Sequence, residues 1–181
     1  MIIREERIGD CRLILGDCLE VMPLLGKVDA VVTDPPYGLG ESGGKAKKRT
    51  SGLTSKINGA SRYQRDYGDK SWDDNTCDEA INKAISISKN AIVFGGNYYD
   101  LPPTSCWLIW DKINGATDFA DCEMAWTNIK KAVRLKRMLW NGCMRVERHI
   151  ERQHPTQKPV AIMEWLITHL PETAETILDP F

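Results

Sequence analysis

Residues 28–33, Val-Asp-Ala-Val-Val-Thr, form a largely apolar run followed at once by Asp34-Pro35-Pro36-Tyr37-Gly38. Two consecutive prolines cannot donate to a ladder and hold φ near −65°, so a strand must end there and the chain must leave the sheet. The rest of the chain repeats the alternation that this strand begins. Residues 12–15 read as a strand, and Gly16-Asp17 leads into a helix with Leu19, Met22 and Leu25 on one face. Thr76-Cys77-Asp78-Glu79 has the pattern of a capping box, and Ala80, Ile81, Ala84 and Ile85 give a helix over 77–89. Residues 91–94, 105–110 and 123–127 read as further strands. Such alternation predicts an α/β fold, a mostly parallel sheet covered on both faces by helices. With 181 residues and 42% hydrophobic content, a single domain spanning 1–181 with a proper core is expected.

The turn after residue 33 has the composition of a site for a planar, amine-bearing base. An exocyclic base amine is a poor nucleophile because its lone pair is delocalised into the ring. A catalyst must therefore accept its N–H hydrogens and help to localise that pair. Asp34 and the Pro35 carbonyl supply two acceptors, and Pro35 and Pro36 aim them without further ordering cost. Tyr37 offers a π face for stacking, worth roughly 1–3 kcal/mol per base. The bland alternative is a proline-rich turn after a buried strand.

A second motif lies far downstream. His154-Pro155-Thr156-Gln157-Lys158-Pro159 precedes an apolar run over 160–170, where Met163, Leu166, Ile167 and Leu170 fall at helical spacing. Pro159 suits the first turn of that helix, and Pro171 follows its end. The helix N-terminus, with Lys158 beside it, is expected to present positive charge to a carboxylate. The chain closes on Asp179-Pro180-Phe181.

Together these residues resemble the amino-methyltransferases that use S-adenosylmethionine to methylate DNA bases. Asp in first place of Asp34-Pro35-Pro36-Tyr37 resembles the adenine-N6 branch most, and the likeness covers nearly the whole chain. It implies a Rossmann-like methyltransferase fold, with Asp34, Pro35, Pro36 and Tyr37 as the catalytic set. It further implies Asp17, Lys158, Asp179 and Phe181 as cofactor-binding positions; for Asp17 a helix N-cap is an equal reading. The catalytic motif precedes the Asp-Pro-Phe cofactor motif, which resembles the circularly permuted beta class. In that class a glycine-rich turn, a helix and a strand follow Asp-Pro-Phe. A unit of that kind needs roughly 30 residues, so the resemblance implies a fold incomplete at the C-terminus and leaves open whether these residues alone bind cofactor and act. Three readings stay open: adenine-N6 transfer, cytosine-N4 transfer, and a catalytically dead DNA-binding remnant.

Charge is segregated although the net charge is only −1. Between residues 130 and 152 eight basic residues, Lys130, Lys131, Arg134, Lys136, Arg137, Arg145, Arg148 and Arg152, face two acidic ones. Between residues 41 and 70 the count is eight against three. Two such segments suggest a phosphate-facing surface and double-stranded DNA as partner; solvated loops are the alternative. Residues 39–75 read as a mobile basic loop beside the catalytic turn, and 128–152 as a short target-recognition segment. Six cysteines show no Cys-x-x-Cys pair and three histidines no metal spacing, so no metal is expected. Asp111 and Lys112 close a strand end and read either as pocket-lining residues or, the commoner case, as an exposed ion pair, and Trp107, Trp110, Trp126, Trp140 and Trp165 as core or interface. The N-terminus is too charged for a signal peptide and no apolar run spans a membrane, so a soluble, cytoplasmic protein is expected.

Overall fold

A computed structural model describes residues 1–39, 73–115, 120–141, 144–147, 154 and 156–181. Among them are ten strands and three α-helices in an α/β arrangement. Strand β1 (Ile2–Ile8) and β2 (Cys11–Gly16) form an antiparallel hairpin. Helix α1 (Cys18–Leu25) leads to β3 (Val28–Thr33), and α2 (Asp78–Ser86) leads to β4 (Ser88–Phe94). Then come β5 (Trp107–Asp111), β6 (Cys122–Thr127), β7 (Arg134–Arg137), and the short pair β8 (Trp140–Asn141) and β9 (Met144–Arg145). Helix α3 (Val160–Ile167) and β10 (Ile177–Leu178) complete the order.

Six strands form one sheet in the order β10-β3-β4-β6-β5-β7. The sheet is mixed: β6 runs antiparallel to both neighbours, against the parallel order expected, while β10-β3, β3-β4 and β5-β7 are parallel. The cause is the length of the link from Asp111 to Cys122. A parallel return needs a crossover of a dozen or more residues, usually through a helix. This link is shorter, and the Lys112 N–H bonds the Asp121 carbonyl at 2.9 Å, which folds the two strands back on each other.

Strand alternation builds two cores. Ala30 and Val32 of β3, Ile92 and Phe94 of β4 and Leu108 and Trp110 of β5 face Ile162 and Leu166 of α3. On the opposite face Val31, Ala91 and Val93 meet Met22 of α1 and Ala80, Ile81 and Ala84 of α2. Adjacent strand residues thus bury in opposite layers, as period-two geometry requires. The stripe of α3 differs from the expected one. Ile162 is fully buried with Leu166 and Leu170, whereas Ile167 is 42% exposed. Helix α2 is also shorter than expected and lacks the capping box. Thr76 is drawn into a bridge with Tyr37, so Cys77 becomes the N-cap and makes no side-chain cap bond. The helix stops at Ser86 because Ser88 already pairs with Val28.

Asp29 fastens β10 to the sheet. Its carboxylate accepts from the Thr176 N–H at 3.1 Å and hydroxyl at 2.8 Å and from Lys89 Nζ at 2.8 Å. The Lys89 contact first, and then Thr176, hold its pKa below the ordinary aspartate value. No helix among the described residues is long and apolar enough to cross a membrane.

Candidate functional site

Because β3, β4, β5, β7 and β10 all point one way and β6 points the other, one sheet end gathers five carboxyl termini and the start of β6. Asp34, Gly95, Lys112, Glu123 and Asp179 therefore lie along the same edge. Ligands of open α/β sheets bind outside such carboxyl ends.

Two sequence motifs meet there. The Thr33 hydroxyl donates to Asp179 Oδ1 at 2.6 Å across 146 residues of chain. The Phe181 N–H donates to the same oxygen at 3.3 Å, which leaves Oδ2 without a donor among the described residues. Burial raises the Asp179 pKa, against the lowering effect of the Thr33 bond. Beside Asp179, a cleft of about 100 Å³ runs between β2, α1 and β10, walled by Gly16, Cys18, Val21, Met22, Leu25 and Leu178 among others. Asp17 itself caps α1, its carboxylate accepting from the Leu19 N–H at 2.8 Å. Its neighbours, not its side chain, line the cleft. Phe181 is 43% exposed and lies outside that lining.

The catalytic set predicted from sequence is held on three sides. Tyr37 donates its hydroxyl to Asp34 Oδ1 at 2.7 Å, and its ring stacks on Tyr98 with centroids 5.0 Å apart at 23°. Burial and then the Asp34 charge push the Tyr37 phenol far above its ordinary pKa, so it remains a donor. Gly95, at φ +62°, lets the ring lie directly against the backbone at the end of β4. The Tyr99 hydroxyl bonds the Pro36 carbonyl, and the Gly38 N–H bonds Asp73 at 2.9 Å. Pro35 is buried, and no described residue donates to its carbonyl.

Lys158 is not at the cleft. Its ammonium sits 2.6 Å from Asp34 Oδ2 and 3.3 Å from Glu123 Oε2, with 8% of the side chain exposed. It also lies over the rings of Tyr37 and Phe94, at 5.4 and 5.1 Å from their centroids. Lys112 pairs with the other Glu123 oxygen, so four charges alternate in sign from Asp34 to Lys112. Burial pulls the Lys158 pKa down, but Glu123 and Asp34 outweigh it and leave it above the ordinary lysine value. Glu123 is the mirror case: burial raises its pKa, and Lys158 and Lys112 bring it below the usual carboxylate range. Lys112 thus pairs with Glu123, not with Asp111, which instead meets Arg137 at 3.0 Å.

The N-terminus of α3 already holds a carboxylate from the chain itself. Buried Glu147 accepts from the Val160 N–H at 3.0 Å and the Ala161 N–H at 2.8 Å. That end of the helix is therefore not free for an outside carboxylate. Glu147→Ala is expected to cost about 1–2 kcal/mol through the lost cap. Chemical denaturation would measure this as a lower midpoint with an unchanged slope.

Of the expected phosphate-binding residues, Lys130, Lys131, Arg134 and Arg137 are exposed and Lys136 half-buried. Lys131 bonds the His169 carbonyl just past the end of α3, at 3.1 Å. Arg145 belongs to β9, while Arg148 and Arg152, the basic segment 41–70 and most of the loop 39–75 lie outside the described residues. Strand β7, the basic edge, stands four strand spacings from β3, about 19 Å away.

No protein-family model and no curated protein matches the chain. The site therefore rests on its own geometry. Glu123, Glu147 and Tyr98 were not singled out from sequence, whereas Lys112 was named as a possible pocket residue and does reach the site edge. An acidic residue opening an otherwise apolar strand was the one local signal, and it marked Glu123.

Proposed function

We propose that this chain is an S-adenosylmethionine-dependent DNA amino-methyltransferase of the permuted beta-class type, with a Rossmann-like methyltransferase fold, acting on the N6 amine of a flipped adenine. The observation that carries the reading is the Thr33–Asp179 bond, which joins the Asp34-Pro35-Pro36-Tyr37 turn to the Asp179-Pro180-Phe181 turn on adjacent parallel strands. The proposed acceptor site and the proposed cofactor site are thus neighbours.

The cleft residues fit one end of such a cofactor. A volume of about 100 Å³ falls short of the ~150 Å³ that accommodates a benzene ring, so it takes a short chain or part of a ring, with the rest outside. Apolar Val21, Met22 and Leu25 suit a ring face, and Asp179 Oδ2 is an acceptor for an ammonium or hydroxyl group. When bound, the cofactor supplies an electrophilic methyl group.

The chain's own residues prepare the acceptor amine. Asp34 and the Pro35 carbonyl accept its two hydrogens, drawing the nitrogen lone pair out of the ring. Asp34 Oδ1 and Oδ2 each accept one bond already, and each keeps a second lone pair. Asp34 acts by position and charge, and the proton left over after transfer passes to water. Tyr37 provides the stacking face. Tyr98 covers one side of that ring and is 44% exposed on a three-residue turn, so a base entering there displaces it. Extruding the base costs a few kcal/mol, offset by these contacts. On this reading Lys130, Arg134 and Lys136, on and before the β7 edge, meet phosphates of the duplex.

The test is methyl transfer to duplex oligonucleotides lacking either adenine or cytosine, followed by nucleoside analysis. N6-methyladenine alone supports the reading; methylation at cytosine N4 or of neither base overturns it. In calorimetric titration with S-adenosylmethionine, Asp179→Ala is expected to weaken binding about 10- to 100-fold, the effect of one charge-assisted hydrogen bond. Equal binding by both proteins would remove Asp179 from the cofactor site.

A further inference from the structure

The buried charge chain extends beyond the groups that touch a base or a cofactor. Glu123 enters the sheet edge from the start of β6, the antiparallel strand, and Lys158 from the segment before α3. Lys158 has 8% of its side chain exposed, Lys112 16% and Glu123 23%. Each ammonium also lies over an aromatic ring, Lys112 at 5.0 Å from the Trp110 centroid. Lys158 therefore meets two carboxylates from different parts of the sheet edge, hydrogen-bonding Asp34 in the turn after β3 and lying in ionic contact with Glu123 on β6. A single anchor at Asp34 would leave the ammonium free to follow that carboxylate. Two anchors fix it, and through it they fix Asp34.

The charge count leads to the same conclusion. Without Glu123, Lys158 and Lys112 stand together with only Asp34 to balance them. Asp34 then interacts more strongly with Lys158 and becomes a poorer acceptor for an incoming N–H. With Glu123 present, the four groups sum to zero and the positive charge of Lys158 is shared.

We propose that Glu123 is a positioning residue for methyl transfer, acting through Lys158 to hold Asp34 in place and keep it available as an acceptor. This rests on the methyltransferase reading above. The groups facing Lys158 are Asp34 and Tyr37 from the turn after β3 and Glu123 from β6; Lys112, after β5, acts through Glu123. Lys158's raised pKa means that its pairing is at full strength below the ordinary lysine value and is lost only as pH rises through the raised one.

The full chain with Glu123→Gln and with Glu123→Asp tests this in two ways. In single turnover on an adenine-containing duplex, Glu123→Gln is expected to lower the rate about 10- to 100-fold, the worth of one partly buried ion pair that holds a reacting group in place. Its affinity for the duplex should stay within about threefold, since Glu123 faces neither base nor phosphate. Glu123→Asp restores part of the rate, and it carries the test alone if the Gln variant fails to fold. Separately, carbon-13 lysine NMR, with the Lys158 signal assigned by its loss in Lys158→Arg, follows titration without DNA or cofactor. Lys158 should remain charged to higher pH in the parent than in Glu123→Gln. An unchanged Lys158 titration, or an unchanged rate, overturns the inference. A parent chain that methylates no adenine overturns the methyltransferase reading and with it the catalytic half of this inference, while the titration decides the electrostatic half.

Discussion

Asp34→Asn is expected to lower methyl transfer about 10²- to 10³-fold, the usual loss when one preorganised polar group is removed from a transition state. Asn keeps an oxygen for the Tyr37 hydroxyl but gives Lys158 no charge to pair with. Its amide nitrogen, a donor, would also oppose the hydrogens of the acceptor amine. Asn is a better probe than Ala for a structural reason. Asp34→Ala leaves the Lys158 ammonium without its nearest partner, and breaking a buried pair from one side costs about 3–5 kcal/mol. A dead Asp34→Ala protein would then confound lost chemistry with lost fold. Single-turnover rates together with circular dichroism separate the two. An Asp34→Asn protein with parental rate would show that the carboxylate is not the acceptor.

Gly95→Ala is expected to destabilise the fold through the backbone that supports Tyr37. At φ +62° an alanine pays about 1–2 kcal/mol for the left-handed conformation alone. Its Cβ would also come closer than 3.0 Å to three ring carbons of Tyr37, and overpacking of that kind adds about 1–3 kcal/mol. The ring must move, and with it go the Tyr37–Asp34 bond and the stack on Tyr98. A combined loss of about 2–5 kcal/mol should appear in urea unfolding. A loss of no more than about 1–2 kcal/mol, the conformational part alone, would mean that Tyr37 does not pack on the Gly95 backbone.

Much of the local structure was legible because local rules decide it. The bounds of β3 follow from its apolar run and the two prolines, and of the two readings of Asp17 the N-cap is the one its side chain follows. Strand β1 was missed because Ile2–Ile8 is exposed nearly throughout and shows no alternation, its partner being the next strand rather than a core. The direction of β6 is not written in its own residues; it depends on the length of the link before it. The same applies to the site. Asp34 and Tyr37 announce themselves by spacing, but the destination of Lys158 lies 124 residues away from it in the chain. Glu147 sits amid arginines and reads as one charge of a basic stretch, while its partners are the first N–H groups of a helix 13 and 14 residues on.

The pairing of β3 with β10 has a consequence for how this protein is made. Residues 28–33 leave the ribosome early and gain β4 as a neighbour once residue 94 has followed, but their other edge waits for residues 177 and 178. Until then the nascent sheet carries an open row of backbone donors and acceptors along a strand that is buried in the finished fold, the condition under which strands of separate chains join. The same late event brings Asp179 to Thr33. The edge most exposed to misassembly during synthesis is therefore sealed in the step that brings the two halves of the site together.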